Sequence, residues 1–193
     1  MAATPSTMTE LGAPAPPFAL PDPAGRMVKL EDLGDSDALL VIFMCNHCPF
    51  VIHVIDELVR IAADYTGRGL AVVGINSNNV ETHPDDSPEK MAEFEKEKGL
   101  NFPYLFDEDQ SVAKAYRAAC TPDFFLYNGD RTLVYRGQLD GSRPNNDVPV
   151  TGEDLRRAIE AVLAGGKPDE NQAPSIGCNI KWKPGNEPAY VND

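Results

Sequence analysis

Leu39-Leu40-Val41-Ile42-Phe43-Met44-Cys45-Asn46-His47-Cys48-Pro49 runs from an unbroken apolar stretch straight into two cysteines and a proline. The apolar run reads as a central strand buried on both faces. Beyond Cys48-Pro49 the period changes. Val51, Val54, Ile55, Leu58, Ala62 and Tyr65 recur at three and four residues, as on the buried face of an amphipathic helix that Gly67 and Gly69 close. Leu70-Ala71-Val72-Val73-Gly74-Ile75-Asn76 then reads as a second buried strand. Strand, helix and strand at this spacing make a parallel βαβ unit with the cysteine pair at its first strand-to-helix turn.

Working outward, Phe18-Ala19-Leu20 and Met27-Val28-Lys29 flank the turn cluster Pro21-Asp22-Pro23-Ala24-Gly25, which predicts a short hairpin. Leu30 to Leu33 adds one helical turn. Ser87-Pro88-Glu89 opens a helix that runs to Lys98 and stops at Gly99. Ser111 to Ala119 predicts a shorter helix. Phe124 to Tyr127 and Thr132 to Arg136, joined through Asn128-Gly129-Asp130, predict a second hairpin. Thr151 with Asp154 reads as a capping box for a last helix bearing Leu155, Ile159, Val162 and Leu163, which Gly165-Gly166 closes. The expected division is an extended lead-in over 1–17, an α/β domain over 18–166, and an extension over 167–193 that packs back on the domain.

Thirty acidic residues against 17 basic ones leave a net charge of −13. Such a field repels phosphate backbones and anionic lipid, so neither nucleic acid nor a membrane surface is an expected partner. The longest apolar run, Ala38 to Cys45, falls far short of a bilayer span, and the first basic residue is Arg26, too late for a signal peptide. The expectation is a cytoplasmic protein.

Four cysteines, Cys45, Cys48, Cys120 and Cys178, make no disulfide scaffold at this length. A close cysteine pair in a reducing compartment reads as redox-active or metal-binding. The redox reading is preferred because a helix N-terminus offers unpaired amides and partial positive charge, which stabilise a thiolate. Cys45 is then the nucleophile, at the exposed end with its sulfur facing those amides. Cys48 resolves the mixed disulfide. His47, between them, tunes the thiolate as an imidazolium. A zinc reading lacks a second pair of ligands, since His53 and His83 stand isolated, and no metal or organic cofactor is expected. Thr121-Pro122 precedes a strand, where proline serves a special turn.

These features resemble the thioredoxin-like fold, in the alkyl hydroperoxide reductase/thiol-specific antioxidant branch that includes thiol-disulfide oxidoreductases. The resemblance rests on Gly12-Ala13-Pro14-Ala15-Pro16-Pro17-Phe18-Ala19-Leu20, the Cys-Asn-His-Cys-Pro-Phe block, Thr121-Pro122-Asp123, Tyr135 to Asp140 and Ser175 to Lys183. It implies a three-layer sandwich, a mixed central sheet with helices on both faces, flanked by the N-terminal hairpin and the C-terminal extension. It also implies a cis Pro122 shaping a substrate groove beside the cysteines, with Asn46 and Thr121 as candidate substrate-binding residues. Protein or small-molecule thiols and disulfides are the implied partners, with an upstream reductase; the oligomeric state is left open. The chain departs from thioredoxin in Asn46-His47 between the cysteines, Met44 before them, Leu39 where a buried Asp is expected and His53 where a helix proline is expected. The acceptor of the Cys48 proton is left open. A peroxidase using Cys45 is the alternative function, although Ile42 and Ala38 stand where a peroxiredoxin signature has Thr and Pro. A zinc-holding or redox-inactive scaffold comes third.

Cys120 and Cys178 are candidate accessory thiols, with inert packing as their ordinary role. Asn76, Asn78 and Asn79 end a strand where α/β folds bind ligands, yet loop formation is the preferred reading. Asp85-Asp86 reads as a solvated turn. Arg136 and Arg143 read as solvent-facing.

Overall fold

The computed structural model describes residues 3–191. Its centre is a five-stranded mixed sheet built on β4 (Ala38–Phe43). β5 (Leu70–Asn76) pairs parallel to one edge of β4, and β6 (Tyr104–Phe106) pairs parallel beyond it. On the other edge β8 (Asp123–Asn128) and β9 (Leu133–Tyr135) run antiparallel.

Side-chain alternation along β4 builds the layers. Leu40 and Ile42 join one core cluster, whereas Leu39, Val41 and Phe43 join the other. The first core is covered by α1 (Pro49–Tyr65), α2 (Pro88–Lys98) and α4 (Glu153–Leu163), through residues such as Ile55, Leu58, Met91 and Ile159. The second is covered by α3 (Ser111–Tyr116) and by the hairpin of β2 (Ala19–Pro21) and β3 (Met27–Lys29), through Val112, Tyr116, Leu20 and Val28. A run buried on both faces reads as continuously apolar, which is why β4 was legible as a strand. No helix among the described residues is long and apolar enough to cross a membrane.

Several elements depart from expectation. β6 has no counterpart in the sequence reading: its three residues between Pro103 and Asp107 are too few to show a period. The extended lead-in has a partner that was not foreseen: β1 (Ala3–Pro5) pairs with β10 (Ile176–Asn179) of the extension. β10 in turn pairs antiparallel with β7 (Cys120–Thr121), Cys178 opposite Thr121. The helix expected over Ser111 to Ala119 ends at Tyr116, where Arg117 turns left-handed at φ 55°. The capping box at Thr151 does not form. The N-cap of α4 is Gly152, and Asp140 supplies the cap by accepting from Thr151 N (2.7 Å) and Gly152 N (2.6 Å). By contrast α2 begins and ends as expected: Ser87 accepts from Lys90 N, Pro88 is its first residue, and Gly99 closes it at φ 64°, a conformation that glycine adopts without a Cβ penalty.

Candidate active site

β4 delivers Cys45 at its carboxyl end, and Cys48 is the N-cap of α1. The Thr121–Pro122 bond is cis and lies between β7 and β8, bringing Thr121 against both sulfurs. Cys45 Sγ is 3.5 Å from Thr121 Oγ1, and Cys48 Sγ donates to the Thr121 carbonyl oxygen at 3.1 Å. All four cysteines are free thiols.

The expected exposure of Cys45 is corrected: Cys45 is 1% and Cys48 0% exposed, inside the first core cluster. The expected acidity is corrected too. Cys48, not Cys45, takes the helix N-terminus, since it is the N-cap of α1 with Pro49 as the first helical residue. Hydrogen bonds from Cys45 first, then from Cys178, Thr121 and Val51, outweigh burial and bring the Cys48 thiol down to about 5. The Cys45 thiol is pushed well up, by its bond to Cys48, by burial and by the Asp86 charge. The two sulfurs titrate as a pair, and the first proton leaves it well below the ordinary thiol value. When Cys48 carries a proton, the Thr121 carbonyl accepts it; when it does not, the neighbouring donors hold the charge.

His47 makes its hydrogen bond to a carboxylate and not to either sulfur. Its Nδ1 lies 2.6 Å from Asp86 Oδ2, and its ring stacks on His83 at 5.3 Å with 21° between planes. The Asp86 hydrogen bond raises His47 above its ordinary value; burial, then the His47 charge, lowers His83. Nor is Asp86 a solvated turn residue. It is fully buried, accepting from Asn46 N at 2.8 Å and from Asn78 Nδ2 at 2.8 Å, and its hydrogen bonds hold its carboxyl below the usual range against burial. Asn76 and Asn78 serve the same loop: Asn76 Nδ2 donates to Asp86 O, and Asn78 Oδ1 accepts from Lys181 N. Asn46 is also fully engaged, donating to Asp85 O and accepting from the Tyr104 hydroxyl. His83 and His53 are thus not isolated, the latter bonding Ser142 Oγ at 2.7 Å. Arg136 and Arg143 are half-buried staples: Arg136 donates to Thr9 O, and Arg143 to the Asp140 and Ser142 carbonyls.

The two accessory cysteines differ. Cys178 sits in the buried cluster of Cys45 and Cys48, opposite Thr121. Cys120 is buried with its Sγ 3.6 Å from Pro122 O, and burial pushes its thiol well up. Cys45, His47 and Asp86 each place a donor atom within 4.8 Å of the others, the arrangement a metal would need. Both Asp86 oxygens already accept hydrogen bonds, however, so a metal would have to displace the bonds that fix the loop.

A dithiol at a strand-to-helix turn, faced by a cis-proline loop, defines a thioredoxin-like protein. The chain matches the AhpC/TSA family over residues 11–136 and belongs to that family. It is 33% identical over 115 residues to a putative peroxiredoxin of Mycobacterium tuberculosis, covering 60% of this chain and 68% of that one. It is 28% identical over 163 residues to the thiol-disulfide oxidoreductase ResA of Geobacillus kaustophilus, covering 82% of each. Among solved structures, an uncharacterised conserved protein from Geobacillus kaustophilus superposes with a TM-score of 0.93 at 56% identity, covering 95% of this chain and 98% of the other. A putative thiol:disulfide interchange protein DsbE from Chlorobium tepidum superposes with a TM-score of 0.64 at 25% identity, over 80% of this chain and 98% of that one.

Proposed function

We propose that this chain is a thiol-disulfide oxidoreductase acting through Cys45 and Cys48. The observation that carries the reading is that Thr121, beside the cis proline, touches both sulfurs: its Oγ1 lies 3.5 Å from Cys45 Sγ and its carbonyl oxygen 3.1 Å from Cys48 Sγ, at the turn where a strand enters a helix. Cys45 is the attacking sulfur, since it lies among the polar groups of Thr121, His47 and Asp86. Cys48 is enclosed by Cys45, Cys178 and the Thr121 carbonyl.

Cys45 hands its proton to Cys48 as its sulfur attacks a substrate disulfide. A bond forms between Cys45 Sγ and one substrate sulfur, and the other substrate sulfur leaves as thiolate and takes up a proton. Cys48, deprotonated in turn, attacks Cys45 Sγ, closing the Cys45–Cys48 disulfide and releasing the second substrate thiol. The substrate gains two electrons from the pair and two protons, one that Cys48 gives up on attack and one from solvent; the reverse run oxidises a substrate dithiol. Thr121 and cis-Pro122 form the wall against which the substrate sulfur docks, while Asn46 holds the Asp86 loop. The proposal includes protein or small-molecule thiols as partners, an upstream reductase, and a cytoplasmic setting. The setting is supported by the four cysteines all lying around the cis-proline loop, with none left for a structural cross-link.

A redox titration against glutathione, read by alkylation and peptide mass, tests the reading. A reversible two-electron Cys45–Cys48 couple supports it, and a pair that stays reduced at every poise overturns it.

A further inference from the structure

The extension puts a third thiol on the active pair. β10 lies antiparallel on β7, so that Cys178 stands opposite Thr121, the residue whose carbonyl touches Cys48. The approach is very close: a Cβ on Gly177 would fall 2.0 Å from Thr121 O and 3.1 Å from Pro122 N. Ser175 Oγ donates to Pro122 O at 2.6 Å, and Ile180 N to Ala119 O at 3.1 Å, fastening the strand on both sides of Cys178. Cys178 is 2% exposed and lies in the same buried cluster as Cys45 and Cys48, opposite the residue whose carbonyl Cys48 touches. Cys48 therefore has a thiol neighbour on either side. An inert packed cysteine needs no such fastening.

Resting on the oxidoreductase reading above, we infer that Cys178 is a third redox-active thiol that exchanges with the Cys45–Cys48 disulfide. Cys178 sulfur attacks Cys48 Sγ; the Cys48–Cys178 bond forms as the Cys45–Cys48 bond breaks. Cys45 leaves as thiolate and receives the proton that Cys178 gives up. No electrons enter or leave, and the oxidising equivalents move inward to a buried disulfide. Cys45 is thereby returned as a thiol, ready to attack a second substrate before any reductase acts.

The test oxidises the reduced full-length chain with less than one equivalent of diamide, blocks free thiols in acid denaturant, and identifies linked peptides by mass. The wild type is expected to contain both Cys45–Cys48 and Cys48–Cys178. Cys45→Ser should lose two of its three thiols and give Cys48–Cys178, whereas Cys178→Ser should give Cys45–Cys48 alone. A Cys48–Cys178 link absent from the wild type, or replaced by Cys48–Cys120, overturns the inference; the wild-type map stands even where a variant fails to fold. Cys48–Cys178 without any Cys45–Cys48 would sink the parent reading instead, and neither disulfide would sink both.

Discussion

His47 Nδ1 and Asp86 Oδ2 lie 2.6 Å apart although 39 residues separate them in the chain, and the imidazole is held by that carboxylate rather than by either sulfur. Placed between two active cysteines, a histidine reads as a thiolate tuner. Here its charge is met by a buried counter-charge, and the same carboxylate opposes ionisation of Cys45.

Asp86→Asn should drop the His47 titration toward its ordinary 6.5, as read by imidazole proton NMR. The pair's stabilisation has a defined pH window. His47 is raised in the folded state, so its share is complete below 6.5 and fades as pH climbs through the raised value. Asp86 is depressed, so its share is present above 3.8 and fades as pH falls through the depressed value. The stability gap between wild type and variant should thus peak at mildly acidic pH, at about 2–3 kcal/mol for a buried charged acceptor. A gap that widened steadily into alkaline pH would contradict the pairing.

The reduced chain should show one thiolate appearing with a midpoint of about 5, followed by ultraviolet thiolate absorbance. Cys48→Ser should abolish that transition. Cys45→Ser should move it upward, because the hydrogen bond from Cys45 is the largest cause of the low value. A transition that survives in Cys48→Ser and vanishes in Cys45→Ser would return the acidic role to Cys45.

Most of the fold was legible because its central elements carry strong periodic signals: β4 and β5 as apolar runs, α1 as a helical stripe, α2 through Ser87, Pro88 and Gly99. The cysteine pair and the Thr121-Pro122 loop were legible as well, being local motifs. Asp86 was not. A carboxylate beside another in a turn looks solvated, and only folding brings it under Asn46 and His47. Cys178 was legible as a candidate accessory thiol, but the strand that carries it was not: Ile176-Gly177-Cys178-Asn179 has no strand period, and its pairing is fixed by a partner over fifty residues away. The charge on His47 could be anticipated, but not the group that would take it.

Asp123 sits beside cis-Pro122, fully buried, with Oδ2 accepting from Ala119 N at 3.1 Å and Oδ1 without a hydrogen-bond partner among the described residues. Burial pushes its carboxyl up to about 6. A raised acid binds its proton more tightly folded than unfolded, so stability is lost as pH rises from the unfolded value toward 6 and is level above it. Asp123→Asn removes that dependence. Denaturation from pH 4 to pH 8 should show the wild type losing on the order of 3 kcal/mol relative to the variant. A constant difference across that range would mean that the carboxyl titrates normally.

Gly177→Ala should loosen the strand that carries Cys178. The added methyl meets the Thr121 carbonyl at 2.0 Å, a backbone atom in the cis-proline loop that cannot swing aside as a side chain would. β10 must therefore retreat, costing about 1–3 kcal/mol as overpacking. In the native reduced protein Cys178 is 2% exposed, and retreat of β10 should open it to alkylation by at least tenfold. Cys120 stands opposite Asn179 in the same pairing, on the other face of β7 from Thr121, with its Sγ 3.6 Å from Pro122 O, and its alkylation should rise far less than that of Cys178. The comparison separates displacement of one strand from general loosening, which would expose both thiols together. Equal acceleration at Cys120 and Cys178 would show that Gly177 serves the whole core rather than the approach of β10 to Thr121.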